Sequence, residues 1–227
     1  MTERNGIYER IDGSQYRNIY VVGDLHGCFN RLENQLSELR FDKDRDLLVS
    51  VGDLIDRGPQ NVECLALIGN PWFAAVQGNH ERMAIEALFG KDDGRLWYGN
   101  GGQWFWNLDY DQKVIAEDLI REASKLPFVI EIDIAGQKHV VCHADYPSDS
   151  YEYGKAIDVF DAVWRRDRIE MLTQGGSQKP IEGADAFYFG HTPLQHKWSP
   201  LNLNYIDTGA VFGGLLTIVK IQGGDNG

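Results

Sequence analysis

The sequence predicts an α/β fold with a functional site at the ends of its strands. Two observations support this prediction. Apolar runs of strand length alternate with segments of helical periodicity, and five of these runs end in Asp, Asn or His. In open α/β sheets, ligands bind outside the carboxyl ends of the strands. The polar side chains at the five ends are therefore expected to share one site.

The central example is the run Leu47–Val51, which is apolar apart from one serine and predicts a strand buried on both faces. Gly52 ends this strand, and Asp53, Asp56 and Arg57 follow within five residues. Two carboxylates and an arginine are also common in an ordinary solvated turn. The repetition of the pattern along the chain favours the functional interpretation.

Four other runs end in the same way. They are Ile19–Val22, Phe73–Val76, His139–Cys142 and Ala186–Phe189. The candidate metal ligands at the five ends are Asp24, His26, Asp53, Asn79, His143 and His191, with Asp56, Arg57 and His80 beside them. A lone histidine at a strand end is commonly a satisfied hydrogen-bonding group. Here four of the six histidines lie in the motifs, which favours a shared role.

The chemistry of these side chains predicts a site for two divalent ions. Carboxylates, imidazoles and an amide oxygen, with no thiolate, suit Mn, Fe or Zn. Six such groups exceed one tetrahedral shell but suit two ions about 3.5–4 Å apart. We expect Asp53 to bridge the two ions.

The segments between the strands predict helices by the spacing of their apolar residues. These helices are Asn30–Leu39, Asn61–Ile68, Glu81–Phe89 and Val114–Leu126. The first of them joins two strands in a βαβ unit. Phe128–Ile134 and Gln137–Cys142 predict a hairpin, and Asn204–Gln222 predicts a closing hairpin with a structural Asp207.

The segment 97–106 is rich in aromatic residues and glycine. Aromatic side chains in such a loop can form a platform for a substrate. More commonly they pack a small subdomain onto the core, and we favour that interpretation.

The motifs resemble those of the metallophosphoesterases, and among them the PPP-type serine/threonine protein phosphatases of the phage lambda and enterobacterial group. The residues that carry the resemblance are Gly23–Gly27 (GDLHG), Gly52–Gly58 (GDLIDRG), Gly78–Glu81 (GNHE), His143 and Gly190–Thr192 (GHT). The resemblance implies a calcineurin-like metallophosphoesterase sandwich, with two mixed β-sheets flanked by helices and a dinuclear metal site at the strand ends.

The same resemblance implies a set of metal ligands. One ion would be held by Asp24, His26 and Asp53, and the other by Asp53, Asn79, His143 and His191. Manganese is the expected metal, with iron or zinc as the alternatives. The nucleophile would be a water that bridges the two ions.

The resemblance also implies roles for the residues around the metals. Arg57 and Arg166 would hold the phosphoryl oxygens, His80 would protonate the leaving oxygen, and Asp56 would orient the imidazole of His80. The neighbouring Arg165 is the alternative to Arg166. Otherwise, Arg165 and Arg168 are expected on a solvated face.

The implied activity is hydrolysis of phosphoserine and phosphothreonine in proteins or peptides, with phosphotyrosine as a further substrate. One alternative is a dinucleoside polyphosphate hydrolase of the same superfamily, which would share the ligands but lack an acidic partner like Asp56. A second alternative is a metal-stabilised binding module without catalysis. The complete set of ligands, acid and arginines makes this second alternative the weaker one.

Length and composition limit the number of domains and the kinds of partner that the chain can have. The 227 residues suit one domain, 1–227, and the net charge of −12 argues against nucleic acid as a partner. No apolar run approaches the roughly 20 residues that span a bilayer, so no membrane partner is expected. Because the first residues, Met1–Gly6, are polar, we expect a cytoplasmic protein. The three cysteines lack metal spacing, and the sequence does not indicate an oligomeric state.

Overall fold

The computed structural model describes residues 3–223, and within them ten strands form two mixed sheets. The strands are β1 (Glu3–Arg4), β2 (Tyr8–Asp12), β3 (Ile19–Val22), β4 (Leu47–Ser50), β5 (Phe73–Ala75), β6 (Val129–Ile134), β7 (Gln137–Cys142), β8 (Ala186–Phe189), β9 (Leu203–Tyr205) and β10 (Ile218–Gln222). One sheet has the order β1-β2-β6-β7-β8-β9, and the other has the order β10-β3-β4-β5. The predicted α/β sandwich of two mixed sheets is confirmed.

Helices cover the outer faces of the sandwich. They are α1 (Phe29–Glu38), α2 (Asn61–Leu65), α3 (Asn79–Phe89), α4 (Arg95–Trp97), α5 (Gln103–Trp106), α6 (Tyr110–Ala123), α7 (Val159–Trp164) and α8 (Asp167–Thr173). A π-helical turn, Tyr98–Gly102, joins α4 to α5. Within the described residues, no helix is both long and apolar enough to cross a membrane.

The two faces of β3 pack against different layers. Tyr20 and Val22 lie in a buried cluster with the helices, whereas Ile19 and Val21 lie in a second cluster with Ile130 of the six-stranded sheet. Because both faces are covered, the strand is apolar throughout instead of alternating. The same reason explains the run that forms β4.

The predicted helices and the first hairpin are confirmed, with shifts of a few residues at their ends. β3, α1 and β4 form the predicted βαβ unit, since β3 and β4 pair in parallel. The helix predicted at Asn61–Ile68 ends earlier, at Leu65. The helix predicted from Val114 begins earlier, because Asp109 caps its first turn.

The predicted closing hairpin in Asn204–Gln222 is wrong. β9 pairs in parallel with β8 in the six-stranded sheet, and β10 pairs antiparallel with β3 in the four-stranded sheet. Without these partners, β8 and β3 would each expose an edge of unpaired backbone groups. Placing the two strands in different sheets satisfies both edges, whereas a hairpin added to one sheet would leave the edge of the other unpaired.

The expectation that Arg168 lies on a solvated face is also wrong. Its side chain is 7% exposed, and its Nε donates to Asp145 Oδ1 at 3.0 Å. Asp145 is itself buried, which raises the pKa of its carboxyl to about 6 although Arg168 acts to lower it. Arg165 is one-third exposed, and its Nε lies 3.2 Å from Oδ2 of the exposed Asp167.

Replacing Arg168 with alanine should lower the free energy of unfolding by about 3–5 kcal/mol, because it leaves the buried Asp145 carboxyl without its partner. Arg165→Ala is the matched control and should cost about 1 kcal/mol or less, since its ion pair is exposed to solvent. Urea unfolding of both variants measures the difference. Equal losses in the two variants would contradict the stabilising role of the buried pair.

Candidate metal centre

Five strand ends meet at one edge of the sandwich. β3, β4 and β5 of the four-stranded sheet and β7 and β8 of the six-stranded sheet all contribute. The side chains that they bring together are Asp24, His26, Asp53, Asn79, His143 and His191, and each of them is 6% exposed or less. All six candidate ligands therefore lie in one buried cluster.

Asp53 lies at the middle of this cluster. Its Oδ1 is 3.4 Å from His143 Nε2, and its Oδ2 is 3.5 Å from His26 Nε2. His80 Nε2 is 3.9 Å from the same Oδ2 atom. Within the described residues, Asp53 belongs to both groups that could hold a metal ion, one with His26 and His80 and the other with His143 and His191.

Backbone carbonyls determine which ring nitrogen of two histidines faces the cluster. His26 Nδ1 lies 2.7 Å from the carbonyl oxygen of Ile55, and His143 Nδ1 lies 2.8 Å from that of Val51. A carbonyl only accepts, so each Nδ1 carries a proton and donates it. Nε2 is therefore the nitrogen of each ring that faces Asp53. This use of the outer ring nitrogen is typical of histidines that bind metals.

The atoms that converge on the cluster are mainly acceptors. Asn79 Oδ1 lies 2.9 Å from both His143 Nε2 and His191 Nδ1, next to the Asp53 carboxylate. Lone pairs that face one another in a buried space require a proton or a cation between them. The residues present therefore fit divalent cations with oxygen and imidazole ligands.

The pKa shifts in the cluster have two physical causes. Burial lowers the pKa of His26 and of His191 to about 3, which keeps both imidazoles neutral and able to bind a cation. Burial acts to raise the pKa of Asp53, but His143 and His80 outweigh it and hold the pKa well below its usual range. The pKa of His143 is raised, since Asp53 outweighs the effect of burial. A proton on His143 and a bound cation are thus alternative ways to compensate the Asp53 charge.

Asp24 lies at the side of the cluster, outside the two three-residue groups. Its Oδ2 accepts the backbone N–H of His191 at 3.0 Å. Burial, followed by the neighbouring Asp207 and Asp53 carboxylates, raises its pKa well above the usual range. Asp207, which the sequence predicts as structural, accepts the backbone N–H of Gly209 at 2.9 Å. Burial, and to a smaller extent the Asp53 carboxylate, raises the pKa of Asp207.

His80 and Asp56 form a pair beside the cluster. His80 Nδ1 lies 2.6 Å from Asp56 Oδ2, and both side chains are buried. The two strand-end residues Asn79 and His80 begin α3, which starts two residues before the predicted Glu81. The first turn of this helix therefore directs the Asn79 side chain at the cluster of candidate ligands and the His80 side chain at Asp56.

The arginines at the site differ in their surroundings. Arg57 Nη1 donates to His26 Nε2, and its guanidinium lies 5.5 Å from the ring centre of the exposed Phe212. Arg166 is exposed, has no ion pair with any described residue, and helps to lower the pKa of His191. Arg165, by contrast, is paired with Asp161 and Asp167. Among the described residues, Arg57 and Arg166 therefore differ from Arg165 in having no carboxylate partner.

Several residues that shape the site had no predicted role, and Glu81 is one of them. The Glu81 carboxylate accepts the backbone N–H groups of Asp53, Leu54 and Gly78, each at 2.9 Å. It joins the loop that carries Asp53 to the start of α3, and burial raises its pKa to about 7. A glutamate at the third helical position is a known capping signal, so local sequence could have indicated this residue.

Asn61, the first residue of α2, contacts the neighbouring loop. Its Oδ1 accepts the backbone N–H of Asp56 at 2.7 Å, and its Nδ2 donates to the carbonyl of Gly58 at 2.8 Å. The side chain therefore stabilises the loop that carries Asp56 and Arg57.

The aromatic segment 97–106 packs on the core, as favoured from the sequence, since Trp97 and Phe105 are buried. It also reaches the site, because the indole N–H groups of Trp97 and Trp104 donate to the Asp56 carboxylate. No local pattern in the sequence predicts this contact.

Comparison with known proteins agrees with this geometry. A family model described as calcineurin-like phosphoesterase matches residues 17–202. Serine/threonine-protein phosphatase 1 of Salmonella typhimurium is 47% identical over 216 residues, which cover 95% of this chain and 97% of that relative. A symmetrical bis(5'-nucleosyl)-tetraphosphatase of Mannheimia succiniciproducens is 44% identical over 73 residues, 31% of this chain and 26% of the relative.

Among solved structures, a proposed diadenosine tetraphosphatase is similar with a TM-score of 0.68 and 22% identity, covering 97% of this chain and 100% of that one. This likeness concerns the fold alone. The family model spans all five strand ends, and the Salmonella relative matches nearly the whole chain. The chain therefore belongs to the calcineurin-like phosphoesterase family.

Proposed function

We propose that the protein is a metal-dependent protein phosphatase that hydrolyses phosphoserine and phosphothreonine, and also phosphotyrosine, in proteins or peptides. The observation that carries the proposal is the His80–Asp56 pair beside the Asp53 cluster. A positioned acid at this place suits an ester whose leaving group is strongly basic. The similarity to a relative named serine/threonine phosphatase supports the same substrate class.

The proposed cofactors are two divalent ions, expected to be manganese, with iron or zinc as the alternatives. Asp24, His26 and Asp53 would hold one ion, and Asp53, Asn79, His143 and His191 the other. When bound, the ions would stabilise negative charge on the phosphoryl group and lower the pKa of water from about 15.7 towards about 7. The Asp53 carboxylate, with one oxygen towards His26 and one towards His143, suits a bridge between the two ions.

The arginines would hold the phosphoryl group. A planar guanidinium can pair with two phosphoryl oxygens at once. Arg57 donates to His26, the charge of Arg166 acts on the pKa of His191, and neither arginine has a carboxylate partner among the described residues. They would also attract a phosphorylated substrate to a chain whose net charge is −12. Negative charge grows on these oxygens during transfer, so the contact should strengthen in the transition state.

His80 would complete the reaction by giving a proton to the leaving oxygen. Its Nδ1–H is held by Asp56, and its Nε2 faces the cluster. Asp56 would orient the ring so that Nε2 can give a proton to the leaving oxygen.

The direct test is turnover by the manganese-loaded protein of two substrates, a phosphoserine peptide and diadenosine tetraphosphate. We expect phosphate release from the peptide and little cleavage of the dinucleotide, together with two metal ions per chain by elemental analysis. Preferential cleavage of diadenosine tetraphosphate would favour the alternative function, hydrolysis of dinucleoside polyphosphates. A relative named as such an enzyme is similar to 73 residues of the chain. A metal-loaded protein inert towards both would favour a binding module.

Asp53→Asn should reduce activity more than Asp24→Asn, by on the order of tenfold, because a bridging carboxylate contributes to both ions. Elemental analysis should show a larger loss of metal from the Asp53 variant. Manganese titration of both variants provides the comparison. Full rescue of Asp53→Asn at millimolar metal would contradict the bridging role.

Arg166→Ala should raise KM and lower kcat on a phosphopeptide, because the arginine would bind both the ground state and the transition state. A hydrogen bond to a charged group contributes about 1.5–3 kcal/mol, so kcat/KM should fall roughly 10- to 100-fold. Arg165→Ala is the matched neighbour and should remain near wild type. A larger effect at Arg165 would move the assignment by one residue.

His80→Asn should slow phosphoserine hydrolysis by roughly 10²–10⁴-fold and aryl phosphate hydrolysis much less. A tyrosine leaves as a phenolate with a pKa of about 10, whereas a serine alkoxide is several units more basic and needs the proton more. The measurement is kcat for both substrates on one metal-loaded preparation. Equal losses of kcat for the two substrates would contradict the role of His80 as a general acid. Loss of a metal ion from the variant would instead identify His80 as a metal ligand, which its 3.9 Å distance to Asp53 allows.

A further inference from the structure

The Asp56 carboxylate is enclosed by N–H groups. Trp97 Nε1 lies 2.9 Å from Oδ1 and 3.0 Å from Oδ2, Trp104 Nε1 lies 2.7 Å from Oδ1, and His80 Nδ1 lies 2.6 Å from Oδ2. An indole nitrogen only donates, and an ionised carboxylate only accepts. Asp56 is fully buried, so these donors replace the water that would otherwise solvate its charge.

The segment that carries the two tryptophans is fitted closely to the loop that carries Asp56. The backbone N–H of Arg57 donates to the carbonyl of Gly101 at 3.2 Å. A Cβ on Gly101 would lie 2.9 Å from the Arg57 nitrogen, and one on Gly102 would lie 2.6 Å from the Trp97 indole. Both glycines are therefore required for the close approach, and they lie in a π-helical turn, a feature frequent at functional sites.

The Asp56 loop itself is strained. Asp56 and Arg57 have φ angles of 78° and 68°, in the left-handed region that residues other than glycine rarely adopt. Each such residue costs on the order of 1–3 kcal/mol unless its surroundings hold it in place. The indole donors and the Gly101 carbonyl are part of what holds this loop.

We propose that Trp97 and Trp104, here called the indole pair, are positioning residues for proton donation by His80. The inference rests on the proposed phosphatase function. The indole pair holds the Asp56 carboxylate in one orientation, so that Oδ2 accepts Nδ1–H of His80 and Nε2 of His80 faces the cluster. A catalytic imidazole oriented by a third group is a recurring arrangement, and here that third group is itself oriented by two indoles.

In the proposed hydrolysis, the His80 protons and the indole protons have different roles. A water oxygen forms a bond to phosphorus, the bond from phosphorus to the ester oxygen breaks, and the Nε2 proton of His80 moves to that oxygen. The protons of the water remain on the released phosphate, and His80 regains its Nε2 proton from solvent before the next turnover. The Nδ1 proton stays between His80 and Asp56. The indole protons do not transfer, since they only fix the carboxylate.

The test variant is Trp104→Phe, which keeps an aromatic ring in a half-buried position and removes one N–H. We expect kcat for a phosphoserine peptide to fall about tenfold, a fraction of the roughly 10²–10⁴ that general acid catalysis supplies. The kcat for 4-nitrophenyl phosphate should change less than about twofold, because its leaving group needs little protonation. KM should be unchanged for both substrates.

Trp106→Phe is the matched control. Trp106 lies in the same segment and packs its ring against Trp97, but it is 40% exposed and does not donate to Asp56. This variant should match wild type on both substrates. A drop that is the same for both substrates in Trp104→Phe would indicate general damage to the site and overturn the inference.

A double-mutant cycle with His80→Asn adds a second criterion. If the indole pair acts through His80, Trp104→Phe should cause no further loss of phosphoserine kcat in the His80→Asn background. A full additional tenfold loss would overturn the inference. A wild-type protein inert on both substrates would instead count against the proposed function, so the two failures are distinguishable.

Hydrogen exchange of the indole N–H groups tests the contact without any activity measurement. In the wild-type protein the N–H groups of Trp97 and Trp104 should exchange more slowly than that of Trp106, because they are bonded to a buried carboxylate. Exchange of Trp104 as fast as that of Trp106 would overturn the inference, even if Trp104→Phe did not fold.

Discussion

The structure of the site depends on one constraint, the burial of the Asp53 charge. A carboxylate that is 2% exposed must be compensated, and the surrounding chain supplies imidazoles and N–H groups for this purpose. His143 and His26 lie within 3.5 Å of its two oxygens, and the backbone N–H of His80 donates to Oδ1 at 3.0 Å. Glu81 holds the backbone on both sides of this contact. The five strand ends thus surround the buried Asp53 carboxylate, and a bound cation would balance its charge.

Close approach of carboxylates to the backbone explains two of the motif glycines. A Cβ on Gly78 would collide with Asp53 Oδ1, and a Cβ on Gly190 would collide with Asp24 Oδ1. Neither glycine has a positive φ. A larger residue is therefore excluded by lack of space for its side chain and not by the backbone conformation. The glycine before a polar strand end is therefore part of the same arrangement as the carboxylates.

The site also stores backbone strain. Of the eight non-glycine residues with positive φ in the described chain, five belong to the site, namely His26, Asp53, Asp56, Arg57 and His191. Such conformations persist only where surrounding contacts enforce them. Here the contacts come from segments far apart in the chain, including Glu81, Asn61 and the aromatic segment 97–106. The rigid sandwich and its covering segments thus keep the ligands aimed at one point.

The sequence by itself determined the five strands that end at the site, four of the eight described helices and the identity of the clustered polar residues. These features are local: a ligand lies within a few residues of its strand end, and apolar periodicity repeats over one or two turns. The tertiary structure decided the rest. Only folding showed that β9 and β10 separate into two sheets, that Arg168 is buried against Asp145, and that two indoles enclose Asp56. Each of these contacts joins residues more than fifteen positions apart. Side-chain and edge pairing at such separations is set by packing, which no local pattern encodes.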